Sequence, residues 1–155
     1  VVAFYRTLKD DRFLYFLLER LTGGELLWHM RHAPQKRLTE ACANDVMAAL
    51  LRPLSYLQGI GVLYRDLKPT NIIFSASGVL KLVDFGHAKC VDDVLQARST
   101  SVCGTPHYHA PETVRGEEHG FPAQVWALGV LLYEMLAGVP PFWSREREPA
   151  ELHAQ

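Results

Sequence analysis

The chain has 155 residues, 48% hydrophobic and 21% charged, with a formal net charge of −1. That is enough apolar material for one domain with a sizeable core, and the near-neutral balance gives no footprint for nucleic acid or a membrane surface. Cys42, Cys90 and Cys103 form an odd set without metal-type pairing, which favours a reducing compartment over a disulfide framework.

Residues 4–7 and 13–19 read as two strands joined by a Lys9-Asp10-Asp11-Arg12 turn. The opening Val1-Val2-Ala3-Phe4-Tyr5 lacks the basic start and long apolar core of a signal peptide. Gly23-Gly24 breaks the chain before a short helix over 25–31, with Leu26, Leu27 and Met30 on one face. A long helix is expected from a Thr39 cap, with Glu40 in its first turn, toward Gln58, where Gly59 and Gly61 close it. Pro53 inside it removes a hydrogen bond and clashes at a cost of ~3 kcal/mol, so a kink is expected near Arg52-Pro53. Short apolar runs follow at 60–64, 72–74 and 79–83. A last helix spans 123–137 and stops at Gly138 and Pro140-Pro141. Its run 125–133 is too short to span a bilayer and reads as a helix buried on all sides.

The chemistry concentrates in Tyr64-Arg65-Asp66-Leu67-Lys68-Pro69-Thr70-Asn71, followed by Asp84-Phe85-Gly86 and later Ala110-Pro111-Glu112. Alone, an Arg-Asp pair is usually a surface ion pair and Asp-Phe-Gly a turn. In this order they match what phosphoryl transfer needs, which is position and charge rather than covalent work. Asp66 can orient an attacking hydroxyl and accept its proton, and Lys68 can offset charge on the transferred phosphate. Asn71 and Asp84 offer the hard oxygen ligands that magnesium prefers, and Gly86 frees the backbone that aims Asp84.

Further runs extend the pattern: Leu14-Tyr15-Phe16-Leu17-Leu18-Glu19, Gly23-Gly24-Glu25-Leu26, Lys81-Leu82-Val83 before Asp84, Cys103-Gly104-Thr105-Pro106, and Trp126 through Met135. On these residues the chain resembles the eukaryotic serine/threonine protein-kinase catalytic domain, and within it the AGC group that holds the cyclic-nucleotide-dependent kinases. The resemblance implies an α+β, protein-kinase-like fold, a mainly helical large lobe with a remnant of the small-lobe sheet. It divides a partial catalytic domain over 1–155 into small-lobe strands (1–18), a hinge (19–24, with Glu19 to Leu21 at its start) and large lobe (25–155). The family's glycine-rich phosphate loop, strand lysine and partner glutamate do not occur within these residues, and few residues follow Pro140-Pro141-Phe142-Trp143. The chain by itself is therefore expected to be inactive.

The resemblance also implies ATP and Mg2+ as cofactors. It makes Asp66, Lys68 and Thr105 catalytic, and Asn71 and Asp84 metal ligands. Leu18 would guard the back of the nucleotide pocket, with Glu19 and Leu21 in the hinge and Leu26, Ile73 and Val83 as apolar contacts. Leucine and isoleucine at such places are plain core more often than they are ligand contacts. Residues 91–101 are long and polar enough for a mobile activation loop. Ser101 stands where relatives carry an activating phosphothreonine, with Thr100 a rival. A phosphate added there by an upstream activating kinase could pair with Arg65 and Lys89; the plainer reading is a solvated Ser/Thr-rich loop.

Glu25 and Glu134 occupy positions where relatives bind arginine, implying a protein or peptide substrate with basic residues. Thr70, where basophilic relatives often have an acid, weakens that preference. His107 and His109 read as a surface pair rather than metal ligands. Gln124 stands where the family anchors its catalytic loop with aspartate, and Glu112 lacks its family arginine, so it is expected to be solvated or protonated. No nucleic acid, no membrane and a cytoplasmic setting complete the expectation. Two classes stay open: a serine/threonine kinase, favoured by the quartet Asp66, Lys68, Asn71 and Asp84, and a non-catalytic kinase-like nucleotide-binding or scaffold module or inactive gene fragment, favoured by Gln124 and Pro53.

Overall fold

The computed structural model describes residues 1–91 and 99–142. The middle of the expected activation loop and the chain from Trp143 onward lie outside the described residues. Within them the fold is mixed α+β, with three two-stranded sheets and four α-helices.

β-Branched and aromatic residues make β1 (Phe4–Lys9) and β2 (Leu14–Leu18) an antiparallel hairpin. Asp10 closes its turn: one carboxylate oxygen accepts from the amides of Arg12 (2.8 Å) and Phe13 (2.7 Å), the other from the Tyr15 hydroxyl at 2.6 Å. Nothing among the described residues covers this hairpin, and Phe4, Tyr5, Phe13, Tyr15 and Phe16 are all exposed.

The chain then zips onto β4 (Ile72–Phe74), with the Gly23 amide bonded to the Phe74 carbonyl at 2.8 Å and the Phe74 amide to the Gly24 carbonyl at 2.9 Å. A Cβ on Gly23 would lie 2.4 Å from the Ser75 carbonyl oxygen, so only glycine lets the two backbones meet here. α1 (Leu26–His32) follows and buries Leu26 and Met30.

α2 (Glu40–Gly59) begins at the expected cap, the Thr39 hydroxyl accepting from the Cys42 amide at 3.3 Å. Its buried stripe is Ala43, Leu50, Leu54 and Leu57. α2 runs through Pro53 as one helix. The Ala49 carbonyl, which Pro53 cannot serve, belongs to a residue lining an open groove with Arg52 and Pro53, where water can replace the missing donor.

β3 (Val62–Leu63) pairs with β6 (Lys89–Cys90), and β4 pairs with β5 (Leu80–Leu82), both antiparallel. After the short α3 (Pro111–Val114), α4 (Phe121–Ala137) packs on α2 and ends at Gly138 in the left-handed region, φ 85°. The core joins Leu26 and Met30 of α1, Leu50 and Leu54 of α2, and Leu131 and Met135 of α4 around the buried Tyr64, Ile72 and Leu82.

α4 corrects an expectation, because it is not buried on all sides. Leu128, Val130, Leu131 and Met135 face the core, whereas Val125 is 66% exposed and Trp126 and Tyr133 also reach solvent. On the exposed flank Val125 is open, while Trp126 stacks on Phe142 with ring centroids 6.0 Å apart. No described helix is long and apolar enough to cross a membrane.

Candidate active site

The loop between β3 and β4 carries the candidate chemistry, and its anchors lie beneath it. Tyr64 is fully buried; its hydroxyl donates to the Val83 carbonyl, its amide donates to the Gln124 side-chain oxygen at 3.2 Å, and its ring meets Phe85 edge-on at 5.2 Å. Burial, then the nearby charges of Asp66 and Asp84, raise the Tyr64 hydroxyl above its ordinary range. Gln124 replaces an expected charge with a neutral acceptor, yet still holds the loop's backbone.

Arg65 follows with φ 67°, a left-handed conformation that costs a non-glycine residue energy and turns Asp66 inward. Gly104 lies against this bend, where a Cβ would sit 2.5 Å from the Arg65 carbonyl oxygen and 3.3 Å from Asp66 Oδ1.

Asp66 is 2% exposed. Its Oδ1 accepts from the Thr105 hydroxyl at 3.0 Å, and its Oδ2 from the Asn71 amide at 2.9 Å and from Lys68 Nζ at 2.7 Å. Lys68 also donates to Thr105 Oγ1 at 3.1 Å. Burial pushes the Asp66 carboxyl up, but the bonds from Lys68, Thr105 and Asn71 and the Lys68 charge outweigh it and hold it below the usual carboxylate range. The structure thus brings Asp66, Lys68, Asn71 and Thr105 together in one closed set.

Asp84 is exposed, with φ 53°, and its Oδ1 accepts from the Gly86 amide at 3.1 Å. The Asn71 amide nitrogen is committed to the Asp66 carboxylate and to the Asp66 carbonyl at 2.9 Å, which turns its oxygen away from them. The Val83 amide bonds the Asn71 carbonyl at 3.0 Å and so ties the two segments together. An all-oxygen donor pair of one carboxylate and one amide fits a hard divalent cation such as magnesium.

Of the residues expected around a nucleotide, Leu18 is exposed, and Leu21, Ile73 and Val83 are half-buried. The Glu19 amide bonds the Ala3 carbonyl at 2.9 Å, and its carboxylate pairs with Lys81 at 3.1 Å. Leu26 departs from expectation: at 1% exposed it belongs to the core and has no surface to offer a ring. Glu25, at the start of α1, bridges β4 at Ile73 with its side chain exposed.

Comparison with known proteins matches the whole chain, residues 1–155, to the family described as "Protein kinase domain". The chain belongs to that family. The kinase domain is 42% identical over 142 residues to human cGMP-dependent protein kinase 2, covering 92% of this chain and 18% of that protein. It is 39% identical over 143 residues to the cAMP-dependent protein kinase catalytic subunit of Dictyostelium discoideum (92% and 21%), and 45% over 130 residues to the atypical protein kinase C of Drosophila melanogaster (83% and 21%). It is thus related to AGC serine/threonine kinases and spans about a fifth of these relatives' length.

In this kinase domain Arg65 reaches across to the segment after the undescribed stretch. Its Nε donates to the His87 carbonyl at 2.7 Å and its Nη1 to the hydroxyls of Ser99 (2.8 Å) and Ser101 (2.7 Å). Ser101 and Thr100 are exposed; Lys89 lies in β6 beside Leu63. Ser99 is buried and paired to His119 through two backbone bonds, 2.8 and 2.9 Å. Nothing in the sequence pattern singles out Ser99, because its role depends on a partner 34 residues away.

Glu134 is 7% exposed and accepts from the Tyr108 hydroxyl; burial holds its carboxyl above the ordinary range. Tyr108 is a second residue that sequence reading misses, visible only as an aromatic close to Gly104-Thr105-Pro106. Glu112 is half-buried. Among the described residues no three His, Cys, Asp or Glu side chains cluster as a metal site, and His109 is turned to the Cys103 carbonyl at 3.0 Å.

Proposed function

We propose that this domain, within the complete protein, transfers the γ-phosphoryl group of ATP to serine or threonine hydroxyls of protein substrates. The observation behind this is the closed set of bonds on Asp66: a buried, ionised carboxylate held in one orientation by Lys68, Asn71 and Thr105. A carboxylate held below its ordinary range is a weak base at neutral pH. Its first task is to accept a hydrogen bond from the substrate hydroxyl and aim the oxygen; it takes the proton late. Lys68, one bond from both Asp66 and Thr105, keeps a positive charge where negative charge develops. Magnesium-bound ATP supplies the phosphoryl group and neutralising charge when present, and Asn71 and Asp84 are the residues that would hold the cation.

Ser101 is the phosphate acceptor that best suits regulation, because its hydroxyl already touches Arg65; Thr100 has no such bond to Arg65. Selection of arginine near the acceptor is supported at Glu25, whose carboxylate is exposed, more than at Glu134, already engaged by Tyr108. Three unpaired cysteines suit a reducing, cytoplasmic setting. The test is labelled-phosphate transfer by the complete protein to serine and threonine peptides. Asp66→Asn should lower turnover by about 10²–10⁴-fold; undiminished transfer by that variant would reject the assignment.

A further inference from the structure

The guanidinium of Arg65 ties the catalytic loop to two other segments. Nε donates to the His87 carbonyl just past Asp84-Phe85-Gly86, and Nη1 donates to the hydroxyls of Ser99 and Ser101. All three acceptors are uncharged. The two serines differ in their surroundings: Ser101 is exposed, whereas Ser99 is 2% exposed. A buried hydroxyl is costly unless it is bonded, and this one is engaged on several sides. It takes the Arg65 bond at 2.8 Å, meets the Ser101 hydroxyl at 2.9 Å and accepts from the Ser101 amide at 3.3 Å.

Ser99 owes its position to a distant part of the chain. Its amide donates to the His119 carbonyl at 2.8 Å and its carbonyl accepts from the His119 amide at 2.9 Å. His119 is itself buried, and its Nδ1 bonds the Glu117 carbonyl at 3.0 Å. The connection between α3 and α4 therefore fixes Ser99, and Ser99 in turn fixes Arg65. Arg65, directly before Asp66, has the left-handed φ of 67° that persists only where the surroundings impose it. Its guanidinium bonds are among the contacts that impose it. A charge-assisted bond sheltered from water is stronger than the same bond at the surface, where water competes. While both serines carry free hydroxyls, Ser99 therefore holds Arg65 more firmly than Ser101 does.

We propose that Ser99 is a positioning residue: it holds Arg65, and through Arg65 the Asp66 loop, while Ser101 carries no phosphate, so that the unphosphorylated domain keeps a basal rate of transfer. The inference rests on the kinase reading and names a regulation of the same site. Buried Ser99 is out of reach of a modifying enzyme and supplies the constant part of the hold. Exposed Ser101 supplies the part that a phosphate can strengthen. A phosphate on Ser101 brings a charge of about −1.5 to −2 to Arg65, which makes the Ser99 hydroxyl dispensable.

The test compares the complete protein as wild type and as Ser99→Ala, with Ser101 either kept unmodified by phosphatase co-expression or installed as genetically encoded phosphoserine. With Ser101 unmodified, Ser99→Ala should lower kcat by at least about tenfold and leave KM within about twofold. With Ser101 phosphorylated, the loss should fall below about threefold. Equal losses in both forms would mean that Ser99 serves packing alone and would overturn the proposal. So would an undiminished kcat in the unmodified variant, or a wild type that transfers phosphate only when Ser101 is phosphorylated. A second readout is independent of turnover. In nitrogen-15 NMR spectra of the 155-residue chain, the Arg65 Nη1 protons, assigned through Arg65→Lys, should exchange with water at least about tenfold faster in Ser99→Ala and less than about threefold faster in Ser101→Ala. The reverse order, or unchanged exchange in both variants, overturns the hold on Arg65. Transfer by neither form of the complete protein removes the kinase reading, and the exchange rates alone then decide whether Ser99 holds Arg65.

Discussion

Replacing Thr105 with valine keeps the β-branched shape and removes one hydroxyl from the Asp66 set. That hydroxyl donates to Asp66 Oδ1 at 3.0 Å and accepts from Lys68 Nζ at 3.1 Å. Hydrogen bonds to charged groups contribute ~1.5–3 kcal/mol each, and the Lys68 bond can be partly replaced by water because Lys68 reaches the surface. The expected loss at pH 7 is therefore about 2 kcal/mol. Its pH dependence carries the sharper test. Asp66 is held below its ordinary range in the folded state, so its contribution is present above the unfolded carboxylate value of about 3.9 and is lost as pH falls through the folded value. Thr105→Val weakens that hold and raises the folded value toward the unfolded one. Urea unfolding of both proteins, followed by tryptophan fluorescence, should show the full difference near neutrality and a shrinking difference below about pH 4. A difference constant across this range would show that Thr105 acts by packing alone and would refute the electrostatic account of the site.

Gly104→Ala should destabilise by at least ~2 kcal/mol, because φ is 94° and the new Cβ would meet the Arg65 carbonyl at 2.5 Å; thermal unfolding measures it. Gln124→Leu orphans the buried Tyr64 amide and should cost ~1–3 kcal/mol, with faster hydrogen exchange at that amide than in wild type. Pro53→Ala restores a donor to a helix that is already continuous and should stabilise by up to ~3 kcal/mol; a loss of stability in urea titrations would mean that Pro53 packing matters more than the missing bond. The 155-residue chain alone should give negligible labelled-phosphate transfer, since no glycine-rich phosphate loop or strand lysine precedes the hinge within it. Robust turnover abolished by Asp66→Asn would contradict this.

Local chemistry explains which elements could be read in advance. Thr39 caps α2, Gly138 ends α4, and Gly23-Gly24 marks the crossing onto β4, because caps and glycine turns act within a few residues of sequence. The catalytic loop was legible for a related reason: Asp66, Lys68 and Asn71 lie within six residues, so their meeting needs little more than the loop itself. The apolar run of α4 misled because hydropathy describes a helix without saying what stands beside it. An exposed flank at Val125 decided the outcome.

What the sequence determined by itself is the family, the order of the elements and the residue types that could perform phosphoryl transfer. Only the tertiary structure decided how those residues are held. Thr105 comes from 39 positions beyond Asp66, Gln124 from 60 beyond Tyr64, and Ser99 from 34 beyond Arg65. The same long-range packing sealed Leu26 into the core and turned Glu134 onto Tyr108. The physical reason is common to all of these. Burial and hydrogen bonding depend on which surfaces meet in space, and residues far apart in the chain meet only once the helices and sheets have packed.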